Sequence, residues 1–178
     1  MTPHADVAAG RYRKAEFAAD LNQVVRGTAT VEYSDPVEFF SRTYMTGGIK
    51  GLLTQALRRV SGQDGEPVIQ LKTAFGGGKT HSMLALYHLL RGGFDIEQLP
   101  NVAEVVHVAG LDVAPCVHVA VIVGTALNPA KGYRPQNMPG ITVNTIWGEI
   151  AYQLALSAGR PELYDYVKDA DKKHVSPL

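Results

Sequence analysis

Apolar residues recur at helical spacing through most of this chain and gather into nearly uninterrupted runs at two places. The segment Ala15 to Val25 predicts a helix, and a polar, β-branched stretch, Thr28 to Tyr33, then leads into Ser34-Asp35-Pro36. Asp35 is placed to cap a following helix with Pro36 in its first position, where a missing N–H costs nothing. Val37 to Tyr44 continues in helical pattern, Thr46-Gly47-Gly48 interrupts it, and Ile49, Leu52, Leu53, Ala56 and Val60 resume an i, i+3, i+4, i+7 stripe. Two short helices joined at Gly47-Gly48 are the expectation.

Ser61 to Glu66 reads as a turn, and Pro67 to Leu71 is the first short strand-like run. It leads into Lys72-Thr73-Ala74-Phe75-Gly76-Gly77-Gly78-Lys79-Thr80-His81, followed by Ser82 to Leu90, a strong helix former that stops at Gly92-Gly93. Asn101 with Glu104 three residues on resembles a capping box for a helix closing at Gly110. The second run, Cys116 to Val123, suits an interior strand of a parallel sheet covered on both faces. After a loop rich in Pro, Gly and Asn from Asn128 to Gly140, Val143, Ile146, Trp147, Ile150, Ala151 and Leu154 mark one face of a helix ending near Gly159, and Pro161 opens a last, more polar helix. There is no internal repeat.

The 178 residues give room for one domain of ordinary size, and 46% hydrophobic against 19% charged residues gives it a core to bury. Seventeen Lys and Arg balance seventeen Asp and Glu, so no global field argues for nucleic acid or an acidic membrane. The single cysteine, Cys116, has no internal partner, and MTPHADVAAGRYRK lacks the apolar core of a secretory signal. The longest nearly uninterrupted apolar stretch, Val113 to Val123, is short of the roughly 20 residues of a membrane span. A cytoplasmic protein without a membrane partner is expected.

The glycine segment carries the chemistry. A phosphate loop turns backbone N–H groups inward around an anion, which favours glycine, and adds a helix start, a lysine for the β and γ oxygens and a hydroxyl for Mg²⁺. Gly76, Gly77, Gly78, Lys79 and Thr80 supply all of these: the backbone from Gly76 to Thr80 as cradle, Lys79 as the phosphate-reaching ammonium, Thr80 as the metal-side hydroxyl. His81 faces either the nucleotide or solvent, and Phe75 packs beneath the loop or on a neighbouring helix. The pattern G-x-x-x-x-G-K-[ST] wants glycine at position 73, where this chain has Thr73, so the match is relaxed. The opposing reading is a flexible turn with Lys79 in water and Thr80 as a helix cap.

Hydrolysis also needs an acid beside the metal and often an arginine against developing charge. No apolar run ends in paired acids, and Asp112 is the best stand-in. Thr125 and Asn128, just beyond the Cys116 to Val123 run, are candidates for the γ-phosphate side because ligands of open α/β sheets sit past the carboxyl ends of strands. Arg134 is the candidate charge-neutralising residue, and no catalytic residue is assigned.

Phe17 to Leu21, Tyr33-Ser34-Asp35-Pro36 with Phe39-Phe40, Leu71 to Leu90 around FGGGKTH, Ala120 to Thr125 and Ile146 to Ala151 together resemble the amino-terminal part of large prokaryotic predicted ATPases of the AAA+ type. That family is catalogued mainly as a domain of unknown function and is often encoded beside DNA methyltransferases or in phage-defence loci. The resemblance implies an α/β fold with a P-loop NTPase-type parallel sheet and flanking helices: a helical segment over 1–66, then a partial ATPase core over 67–178. It implies ATP and Mg²⁺ at Gly76 to Thr80, with the acidic Walker B strand beyond Leu178, so that this chain is a truncated product or a fragment. The implied partners are ATP, the remainder of the ATPase or other subunits, and DNA or DNA-modification proteins. A non-catalytic, nucleotide-dependent regulatory module and a small-molecule kinase are the alternatives; neither a kinase lid nor a substrate pocket is visible in the sequence.

Overall fold

The structure is a computed structural model that describes residues 19–72, 78–128 and 130–177. Asp20 begins the described chain's first helix, α1 (Leu21–Val25), by accepting from the N–H groups of Asn22 at 2.9 Å and Gln23 at 3.3 Å. The expected earlier part of that helix, residues 15–18, lies outside the described residues. Next come α2 (Val31–Ser34) and α3 (Pro36–Arg42); Asp35 caps α3 by accepting from Glu38 N–H at 2.9 Å, with Pro36 in the first turn as expected. Thr46 caps α4 (Gly47–Val60), so the glycine pair forms the first turn of a long helix and the break falls before it.

Helix α5 (Lys79–Arg91) ends at Gly92, whose φ of 61° is one that glycine adopts without strain. A short 3₁₀ turn, Ile96–Gln98, precedes α6 (Pro100–Val108). No side chain caps α6: the Asn101 amide donates to Phe40 C=O at 3.3 Å, and Glu104 pairs with Lys50 on α4 at 2.6 Å. The two polar residues expected to form a capping box instead tie α6 to its neighbours. Phe39, Phe40, Leu53, Leu57, Leu84, Leu89, Val102 and Val106 from α3 to α6 form one apolar core in which α5 is central.

The expected parallel sheet is not there. Among the described residues the β pairing is the isolated antiparallel bridge Tyr133–Val143, and no strand forms. Residues 67–72 are irregular, with Val68 73% exposed, and residues 116–123 run without a ladder. A short apolar run does not state what pairs with its backbone. Here Val117, Val119 and Val121 pack on the helical core, Val117 N–H donates to Leu90 C=O at 2.9 Å, and the Gln153 amide takes both backbone groups of Val121 at 2.7 and 2.8 Å. One glutamine side chain thus occupies the place of a neighbouring strand.

The rest of the chain forms α7 (Ile146–Ser157), a 3₁₀ turn over Pro161–Tyr166 and α8 (Lys168–Lys172), packed around Met138, Val143, Ala155 and Tyr164. Ile146 and Trp147, expected to face the core, are 55% and 50% exposed, while Gly148, Glu149 and Ala155 are buried. The reason is Asp171 on α8, which accepts from the N–H groups of Asn144 and Thr145, the Thr145 hydroxyl and the Tyr164 hydroxyl at 2.5 to 2.9 Å. A Cβ on residue 148 would fall on that carboxylate, so glycine there permits the close approach of α7 to α8. Among the described residues no helix is long and apolar enough to cross a membrane.

Candidate functional site

Gly78 precedes α5 with φ 73° and ψ 17°, a left-handed conformation that glycine adopts freely. Its carbonyl accepts from Ser82 N–H at 2.8 Å and Ser82 Oγ at 3.0 Å, which fastens it to the helix. Lys79 and Thr80 are the first two helical residues, no side chain caps the end, and the first turn holds no acid. An α-helix start of this kind carries N–H groups without intrahelical acceptors and a partial positive charge. Gly76, Gly77 and Phe75 lie outside the described residues.

His81 follows on the first turn and is attached to the helical body. Its Nε2 lies 2.9 Å from Thr43 Oγ1, which itself donates to Phe39 C=O at 2.7 Å, so Nε2 carries the proton and donates to Thr43. The ring lies 4.6 Å from that of Phe39, and burial pushes its pKa below the ordinary value, keeping it neutral. Its partners make His81 an anchor of α5 on α3, which holds the lysine and threonine before it in place.

This end fits a phosphate: an uncapped helix start, no first-turn carboxylate, and Lys79 and Thr80 adjacent. For Mg²⁺ the residues offer the Thr80 hydroxyl, and no group of three His, Cys, Asp or Glu among the described residues suits a metal. That donor set fits a cation that comes with the phosphates it neutralises.

The other candidates stand elsewhere. Asp112 is exposed after α6, and the segment that follows it docks at the C-terminal end of α5 through Cys116 to Arg91 C=O and Val117 to Leu90 C=O. Lys79 is at the opposite end of a 13-residue helix, about 20 Å long. Thr125 sits in a single 3₁₀ turn, Gly124–Ala126, and is exposed. Asn128 and Arg134 line two neighbouring clefts that meet at Tyr133, and Lys79, Thr80 and His81 line neither.

The Arg134 cleft, about 450 Å³, is bounded by α1 and α7 and holds an ordered polar chain. Tyr133 donates to Glu149 at 2.5 Å, the Gln153 amide donates to the other Glu149 oxygen at 2.7 Å, and Gln153 holds Val121. Burial, and then the Glu149 carboxylate, push the Tyr133 phenol well above its ordinary value, so it stays a donor. The Asn128 cleft, about 640 Å³, lies on the other side, toward Asn144, Thr145 and Ile146.

The sequence profile of the DUF499 N-terminal domain matches residues 3–178. The chain belongs to that family. No curated protein and no solved structure matches it. In this DUF499 N-terminal domain, sequence reasoning missed Arg26, Lys131, Tyr133, Glu149, Gln153 and Asp171. One signal was present: Gly148-Glu149 interrupts an otherwise apolar helix face, and a buried acid beside a glycine marks polar packing. Tyr133 and Asp171 left no such mark, because Glu149 lies 16 residues from Tyr133, and Asn144 and Thr145 lie 27 and 26 residues from Asp171.

Proposed function

We propose that this chain is a nucleotide-binding portion of an AAA+-type ATPase and takes the phosphates of ATP, with Mg²⁺, at the start of α5. The observation that carries the reading is Gly78-Lys79-Thr80 at an uncapped helix start with no acid in the first turn. The backbone N–H groups there hold phosphate oxygens, Lys79 compensates their charge, and His81, bonded to Thr43, fixes the first turn. When bound, Mg²⁺ supplies charge neutralisation between phosphate oxygens, with the Thr80 hydroxyl on its side. The first turn of α5 holds no acid, and in this reading the acid that hydrolysis requires comes from the remainder of the ATPase or other subunits. Action on DNA, or alongside DNA-modification proteins in phage defence, is the wider setting that the family likeness supports.

Titration with a fluorescent ATP analogue tests the reading. The unaltered chain binds it with Mg²⁺, and Lys79→Ala weakens binding at least tenfold; equal binding by the two proteins overturns the assignment. Phosphate release by the chain alone would show that its acid had been misplaced.

A further inference from the structure

The cleft between Tyr133 and Ile146 has the volume of a small-molecule site, about 640 Å³. Every charged or titratable nitrogen side chain along it is basic: Arg26, Lys131 and His174, with no Asp or Glu in the lining. Among the described residues neither Arg26 nor Lys131 has a carboxylate at ion-pair distance. The nearby acids are already engaged, Glu149 by Tyr133 and Gln153 and Asp171 by Thr145, Asn144 and Tyr164. The rest of the wall combines an apolar part, chiefly Tyr133, Leu127 and Ile146, with the neutral polar side chains of Asn128, Asn144 and Thr145.

His174 adds a second observation. It has φ 56°, the one positive φ of a non-glycine residue among those described. Val175 N–H reaches Ala170 C=O at 3.0 Å and His174 N–H reaches Asp171 C=O at 3.1 Å, so His174 fills the left-handed position that closes α8. Glycine closes a helix in this way without the strain, which for a residue with a Cβ is about 1 kcal/mol. The turn that closes α8 thereby brings His174 to the lining of the cleft.

We propose that this cleft binds a small organic anion, with a flat apolar body against Tyr133, Leu127 and Ile146 and a carboxylate, sulfonate or phosphate held by Arg26 and Lys131. The site is separate from the start of α5, whose Lys79 and Thr80 do not line it. The attraction is between two basic side chains without acidic partners and one anionic group, beside a surface that sheds water when the body docks.

Two dyes of similar shape test this on the full chain: 8-anilino-1-naphthalenesulfonate, which is anionic, and N-phenyl-1-naphthylamine, which is not. The sulfonate dye binds with enhanced fluorescence and the uncharged dye binds at least tenfold more weakly. Arg26→Ala with Lys131→Ala lowers sulfonate affinity at least tenfold; both positions are exposed, so the circular dichroism spectrum stays the same. His174→Gly, which relieves the backbone, lowers the affinity severalfold in a chain at least as stable. Lys79→Ala leaves dye binding unchanged, which separates this site from the nucleotide reading. Equal binding of both dyes, equal sulfonate binding by the double variant, or no binding at all overturns the proposal.

Discussion

Around α5 the fully buried side chains are hydrocarbon, Phe39, Phe40, Leu53, Leu57, Leu84 and Leu89, and they touch one another. Around α7 the fully buried side chains include Tyr164 and Asp171, and hydrogen bonds organise the interior. The two regions meet where Gln153 of α7 takes the backbone of Val121 and where His118 lies 3.0 Å from Ser157 Oγ. Apolar packing is non-directional and degrades in proportion to what is removed. A buried polar network holds only while every member is satisfied, so losing one member exposes the cost of all the others.

That contrast is most easily broken at Asp171. Asp171→Ala leaves the Asn144 and Thr145 N–H groups and the Thr145 and Tyr164 hydroxyls without their shared acceptor. We expect a loss of about 4 kcal/mol, near the upper range for removing one member of a buried charged network. Trp147, the one tryptophan, lies on α7 and reports this region by fluorescence during urea unfolding. A loss under about 1 kcal/mol, within the range of a single ordinary hydrogen bond, would mean the network does not hold α7 to α8.

The matching change in the apolar body is Leu57→Ala, at a fully buried position of α4. The transfer and cavity contributions together predict a loss of about 3 kcal/mol. Read by helical circular dichroism, it lowers the unfolding midpoint; combined with Asp171→Ala, the two losses add within about 0.5 kcal/mol if the regions are energetically separate. A large coupling would show one cooperative core instead of two.

The apolar body was largely legible in the sequence. The Asp35-Pro36 cap, the Ile49 to Ala56 stripe, the helix after Gly78 and its stop at Gly92 follow from spacing and capping chemistry that act within a few residues. The sheet was misread for a physical reason: Val117, Val119 and Val121 of the run Cys116 to Val123 pack partly buried on the helical core, and the hydrogen-bond partners of the run are Leu90 C=O and a glutamine amide 32 residues away from Val121. The α7 region hid its organisation altogether, since Gly148 is required by Asp171 and Tyr133 is held by Glu149, pairings that no local pattern encodes. At the candidate site the helix start was legible, whereas the gathering of Arg26, Lys131 and His174 along one cleft is a product of the fold.

Acid separates the two regions with a smaller effect than either substitution. Burial pushes His81 and His88 below the ordinary 6.5, and at His88 the donation of Nε2–H to Tyr33 C=O at 2.8 Å only partly opposes it. The folded body keeps both rings neutral, while the unfolded chain takes up protons near pH 6.5, so the stability they contribute is present above that pH and is lost as pH falls through the lowered folded values. At Asp171 burial acts to raise the pKa, but the Thr145, Tyr164 and Asn144 donors outweigh it and pull the carboxyl below 3.8. Its contribution persists until the pH drops under 3.8. Acidifying from pH 7 to pH 5 is therefore expected to lower the urea midpoint seen by helical circular dichroism and to leave the Trp147 midpoint in place. Midpoints that move together across that interval would join the two regions into a single unfolding unit, in which the α7 network shares the acid sensitivity of the apolar body.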